Sequence, residues 1–185
     1  MKNMKVLDLC MCAVCVGLHI VFELFCTIRI GNDLKITFTA LPFLIIAYLC
    51  GPVEGLLTGL VGTFLSQLLT YGLSATTVLW MLPYAAMGLV AGLVYRSCKN
   101  KTKIRAIVLS TVISGIVQYI LTQLVSYLDG VVIFKYYTIE ALLLLQPIRL
   151  ATWAIITLVY TLISIPLVKA LLKYCPAGQR LVEEK

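Results

Sequence analysis

Apolar residues in this chain come in blocks long enough to cross a bilayer, cut by short polar breaks. The blocks cover roughly Val6–Ile28, Ile36–Cys50, Pro52–Thr70, Val78–Tyr95, Ala106–Leu128 and Ile148–Leu172. A helix needs about 20 apolar residues to cross the hydrocarbon. The pattern therefore predicts an all-α integral membrane protein, a compact bundle of six transmembrane helices. The second is short and is expected to stop below the outer face. Only Gly51-Pro52 separates the second block from the third, and Gly55, Gly59 and Gly62 follow at helical spacing. Such a smooth face lets helices approach closely.

Composition agrees. Of 185 residues 61% are hydrophobic and 12% charged, half the charged share of a soluble domain, about 25%. From Ile36 to Tyr95 the only charge is Glu54. One membrane domain over 1–185 is expected, with a short tail from about residue 174 and the first block kept as a helix rather than removed as a signal peptide. Of the 15 basic residues, 11 fall on one side of a six-span topology: Lys2 and Lys5, the cluster from Arg96 to Arg105, and Lys169 to Lys185. The positive-inside rule then places both termini in the cytoplasm. The net charge of +7 does not imply nucleic acid, because no soluble fold is left to present a basic patch. Seven cysteines, an odd number and mostly within helices, do not suggest a disulfide framework. Cys12 and Cys15 lack further ligands at metal spacing; no metal or cofactor is expected.

Side-chain variety gathers in the outer connections, RIGNDLK (Arg29–Lys35), YGLSATT (Tyr71–Thr77) and the long Asp129–Pro147 loop. In the last, Val131–Tyr137 reads as strand-like or interfacial and Ile139–Gln146 as a short separate helix. The sixth block carries Arg149, Trp153, Thr157, Tyr160 and Ser164 at steps of three and four, one helix face. Gln118, Thr122 and Ser126 form a similar stripe on the fifth, with Tyr119 and Gln123 beside them, and Trp80 and Tyr84 one on the fourth. Polar faces in hydrocarbon turn inward. They serve either as glue between helices or as the lining of a small-molecule pocket. Arg149 either snorkels to the surface or offers its fork to a carboxylate or phosphate. His19 and Glu23, four apart on the first helix, can be a structural pair, a substrate contact or a proton-coupling dyad. Ala13 and Gly17 form a second small-residue face. No phosphate-binding GxxxxGK[ST], no HExxH and no GxSxG occurs, and no catalytic residues are assigned.

Leu41-Pro42, then Gly51-Pro52 with Gly55, Gly59 and Gly62, resembles the second and third helices of the substrate-binding S components of energy-coupling factor (ECF) vitamin transporters. The six spans, the length and the basic connection after the fourth span are similar too. TTVLWMLPYAAMGLVAGLVY (Thr76–Tyr95) is similar to the start of the fourth helix in folate-type members. The resemblance covers nearly the whole chain through loose motifs. It implies a non-enzymatic subunit that captures a vitamin or related micronutrient from outside. That subunit would dock on a membrane coupling protein with two ATPases.

The resemblance also implies roles for residues. In the first and third loops the pocket candidates are Arg29, Lys35, Tyr71, Thr76 and Thr77. On the fourth and fifth helices they are Trp80, Tyr84, Gln118 and Gln123. Lys135 and Tyr136 in the fifth loop, with Arg149 and Trp153 on the sixth helix, complete the set. Docking falls to an AxxxA motif, here Ala13 and Gly17. The family's aspartate-rich end of the third helix reads Ser66-Gln67 here, which removes an acidic contact at that point. Outer cations and aromatic walls suit an anionic ligand with a flat ring, as in folate. The rival readings are a self-sufficient proton-coupled carrier and an intramembrane enzyme using Glu23 and His19.

Overall fold

The computed structural model describes residues 6–30, 34–98 and 104–174, and only the backbone of Arg29, Ile30, Leu34 and Lys35. The predicted basic loop at Lys99, Lys101 and Lys103, the terminal lysines and Cys175 lie outside the described residues. Six α-helices follow in chain order: α1 Val6–Phe25, α2 Leu41–Leu49, α3 Pro52–Tyr71, α4 Thr77–Ser97, α5 Ile104–Tyr127 and α6 Ile139–Tyr174. All but α2 are long and apolar enough to cross a membrane. Two short antiparallel strands, β1 Ile28–Ile30 and β2 Leu34–Ile36, pair Ile28 with Ile36 across the first connection.

The second block differs most from its expected span. Ile36 belongs to β2, a turn follows at Thr39–Ala40, and the helix starts only at Leu41, beside Pro42. With nine residues, eight of them buried, α2 is a plug in the centre of the bundle rather than a lipid-facing span. It packs on α1, α3, α4 and α6. Tyr48 lies 4.9 Å from the Tyr95 ring, and its hydroxyl sits 2.8 Å from Thr111 Oγ1.

The turn into α3 depends on two residues. Gly51 has φ 136°, a conformation that L side chains rarely adopt. Pro52 opens α3, where its missing N–H costs nothing. Arg96 donates from Nη2 to the Cys50 carbonyl (2.6 Å), satisfying an acceptor that the end of α2 leaves open. Along the α3–α4 seam, a Cβ on Gly55 would lie 2.8 Å from the Gly88 carbonyl oxygen, and one on Gly59 2.8 Å from that of Tyr84. A Cβ on Gly88 would overlap the Gly55 backbone. The backbones themselves are in contact.

The long loop is not strand-like. Leu128–Ile133 continues α5 as a π-helical turn, closed by Phe134 N–H to the Asp129 carbonyl (3.0 Å). Ile139–Gln146 is no separate helix either. It merges through Pro147 into the 36-residue α6, which also holds Pro166. Proline removes one backbone donor and crowds the preceding turn, yet neither of these two ends the helix.

The bundle is apolar outside, and its interior holds polar side chains beside an apolar core. Leu18, Val61, Leu93, Ile120 and Leu158 are exposed, whereas His19, Thr58, Ser110, Ser114 and Ser164 are buried. Water would not tolerate such a surface, but lipid solvates it.

Candidate substrate-binding site

A cavity of about 730 Å³ lies against the α3–α4 and α5–α6 connections, with Ser74 and Thr76 from the one and Asp129, Phe134, Tyr136 and Tyr137 from the other in its lining. Helical periodicity brings α5 and α6 together there through polar side chains. Tyr119 donates to Gln146 Oε1 (3.1 Å), Gln146 donates to Gln123 Oε1 (3.0 Å), and Arg149 Nη1 donates to the same oxygen (3.3 Å). Trp153 Nε1 donates to the Gly115 carbonyl (3.0 Å), and its ring lies 5.4 Å from that of Tyr119. Arg149 thus lines the cavity with no carboxylate partner among the described residues. Arginine presents five donors in a planar fork, so one bond to Gln123 leaves capacity for an acidic ligand group.

Deeper residues form a polar floor. His19, 1% exposed, places Nδ1 2.9 Å from the Thr39 carbonyl and Nε2 3.0 Å from Ser66 Oγ. Ser66 in turn donates to the Thr63 carbonyl (3.1 Å). Glu23 is buried and lines the same cavity. Tyr84 and Tyr160 complete this level, with the Tyr160 hydroxyl donating to the Thr37 carbonyl (2.6 Å). A hydrogen-bonded floor below aromatic walls suits a small organic molecule held in one orientation.

Residues 7–174 match the family model of the substrate-specific component of ECF transporters. The chain belongs to this family. It is thus the substrate-specific subunit of an ECF importer, a membrane protein whose partners are the coupling subunit and ATPase module of that importer. No curated protein sequence matches the chain.

In this S component the cavity brings together Tyr71 at the end of α3, Thr76 in the connection that follows, and Trp80 and Tyr84 on α4. From the other side come Gln118, Gln123, Tyr136, Arg149 and Trp153. Two sequence candidates fall outside its lining. Thr77 is buried at the start of α4, where its hydroxyl accepts the Ser74 N–H (2.9 Å), so it fastens the turn. Lys135 is exposed, and its φ of 54° turns the chain between Phe134 and Tyr136. The side chains of Arg29 and Lys35 lie outside the described residues.

Sequence reasoning did not assign Asp129, Thr63, Ser66, Gln67 or Tyr137 to the cavity, yet all line it. Asp129 read as a loop charge, because nothing in DGVVIF announces a π turn. For Ser66 and Gln67 a signal existed: they follow Gly55, Gly59 and Gly62 around the same helix.

The two small-residue faces part company. That of α3 is closed by α4. On α1, Ala13 and Gly17 are exposed, and a Cβ on Gly17 would meet nothing within 4 Å.

Proposed function

We propose that this S component captures an anionic vitamin-like molecule with a flat ring, best matched by a folate, from outside the cell. It then delivers the ligand by docking on the ATPase-driven coupling module. The reading rests above all on one observation: a cavity of about 730 Å³ with aromatic walls, in which Arg149 has no carboxylate partner among the described residues. The cavity end is the outer end, and the basic end, with both termini, faces the cytoplasm of a prokaryotic cell. Docking uses the open face of Ala13 and Gly17.

Calorimetry on the purified chain tests the reading. Folic acid binds tightly and pantothenate weakly, and the lone chain does not hydrolyse ATP. Absence of folic acid binding removes the folate assignment. ATP hydrolysis by the chain alone contradicts the division of labour.

The proton-coupled carrier draws support from His19 and Glu23, both buried on the cavity wall. Uptake by the lone chain in liposomes, driven by a pH gradient, would favour it. An enzyme using the same pair has less support, since both ring nitrogens of His19 are engaged by Thr39 and Ser66.

A further inference from the structure

His19 is the only histidine of the chain, and capture through Arg149 and the aromatic walls leaves its acid–base chemistry unused. The ring is buried on the cavity floor, and its two nitrogens face different groups. Nδ1 lies 2.9 Å from the Thr39 carbonyl. A carbonyl only accepts, so Nδ1 carries a proton in every state of the ring. Nε2 lies 3.0 Å from Ser66 Oγ. A hydroxyl donates or accepts, and Ser66 has a second acceptor in reach, the Thr63 carbonyl at 3.1 Å.

Two arrangements therefore share one set of heavy-atom positions. With the ring neutral, Ser66 donates to Nε2. With the ring protonated, Nε2 donates to Ser66, whose own proton turns to the Thr63 carbonyl. Neither arrangement leaves a ring nitrogen unsatisfied, the condition under which a buried polar group is tolerated. A charged ring also finds support nearby. Glu23 follows one turn later on α1, buried on the same cavity wall. The Phe43 ring of α2 lies 4.5 Å from the imidazole centroid, within reach of the attraction between a cation and an aromatic ring. The titratable groups that neighbouring helices bring to this level are phenols. Tyr84 of α4 has its ring centroid 6.3 Å from the imidazole, and Tyr160 of α6 lines the same cavity. On α3, Ser66 and Thr63 do not titrate. Asp129 and Arg149 are the remaining charged residues of the lining.

We propose that His19 is a proton-binding site of the folded protein, with the Ser66 hydroxyl turning to accommodate the second proton, and that an anionic substrate is captured with that proton on. The proton tunes capture and does not drive transport, which stays with the ATPase module. The link to the substrate rests on the capture reading above.

The ring itself is the first probe. Histidine labelled with heavy nitrogen gives it its own signals in NMR of the full chain in detergent. Between about pH 5 and 8, where histidines titrate, Nε2 is expected to gain and lose a proton reversibly, with Nδ1 keeping its own and a melting curve showing the bundle folded. A ring that keeps one protonation state over this range overturns the proposal. Ser66→Ala removes the rotor and should move the midpoint of the titration; an unmoved midpoint in the folded variant overturns the role of Ser66. Folic acid is the probe of the link to capture. Its affinity by calorimetry should fall as pH rises through the ring's titration, by up to about tenfold per pH unit for one linked proton, and His19→Gln should flatten that slope. Constant affinity across the titration overturns the link while capture stands. If folic acid does not bind at all, the folate assignment falls instead, and the ring titration alone decides whether His19 is a proton site.

Discussion

The α3–α4 seam and the α5–α6 wall join helices in opposite ways. In the seam, Gly55, Gly59 and Gly88 bring backbone against backbone, with no side chain able to rotate out of the contact. In the wall, Tyr119, Gln123, Gln146 and Arg149 meet through side-chain hydrogen bonds. A glycine contact has one geometry; an amide or guanidinium can exchange one partner for another. Within one small domain, one helix contact is made of residues without side chains, and the cavity wall is made of long polar ones.

The strongest way to break this contrast is Gly88→Val. Its Cβ would fall on the Gly55 backbone, and overpacking of this kind costs about 1–3 kcal/mol or more. We expect most of the folded protein to be lost in a thermal melt in detergent. A melting temperature equal to the parent's would show the seam to be no stiffer than the wall. Gly17→Trp has the same residue type but the opposite setting. Uptake in cells holding the coupling module should stop, while calorimetry on the purified variant shows unchanged binding. Lost binding in a folded variant would end the assignment of docking to α1.

Arg149→Ala tests the wall. Affinity for an anionic probe such as folic acid should fall by about 1.5–3 kcal/mol, the range for hydrogen bonds to charged groups. Unchanged affinity by calorimetry would take Arg149 out of the site. Lys135→Ala marks the lower limit. Its side chain is exposed and outside the cavity lining, so affinity and stability should change by less than about 0.5 kcal/mol.

The same contrast explains what the chain disclosed before its structure. Helices and the glycine seam were legible because apolar runs and small-residue spacing are local signals. The stripe from Arg149 to Ser164 was legible because helical periodicity assigns a face, and Thr157, Tyr160 and Ser164 are indeed buried. Lys135 falls outside the cavity lining and Asp129 was passed over for one reason. In a loop, position follows backbone geometry that spacing does not encode, here a π turn and a positive φ at Lys135. The length of α6 was hidden by Pro147, which reads as a stop but stands inside one continuous helix.

That continuity bears on the surrounding lipid. At about 1.5 Å per residue, the 36 residues of α6 reach about 54 Å, against about 30 Å of hydrocarbon. Tilts of up to about 40° cannot absorb the excess, so part of the helix stands in the headgroup layer. Leu143, Leu144 and Ile148, exposed near its first turns, then become a gauge of bilayer thickness. Thickening or thinning the membrane shifts how deeply they sit, and with them the rim that carries Arg149.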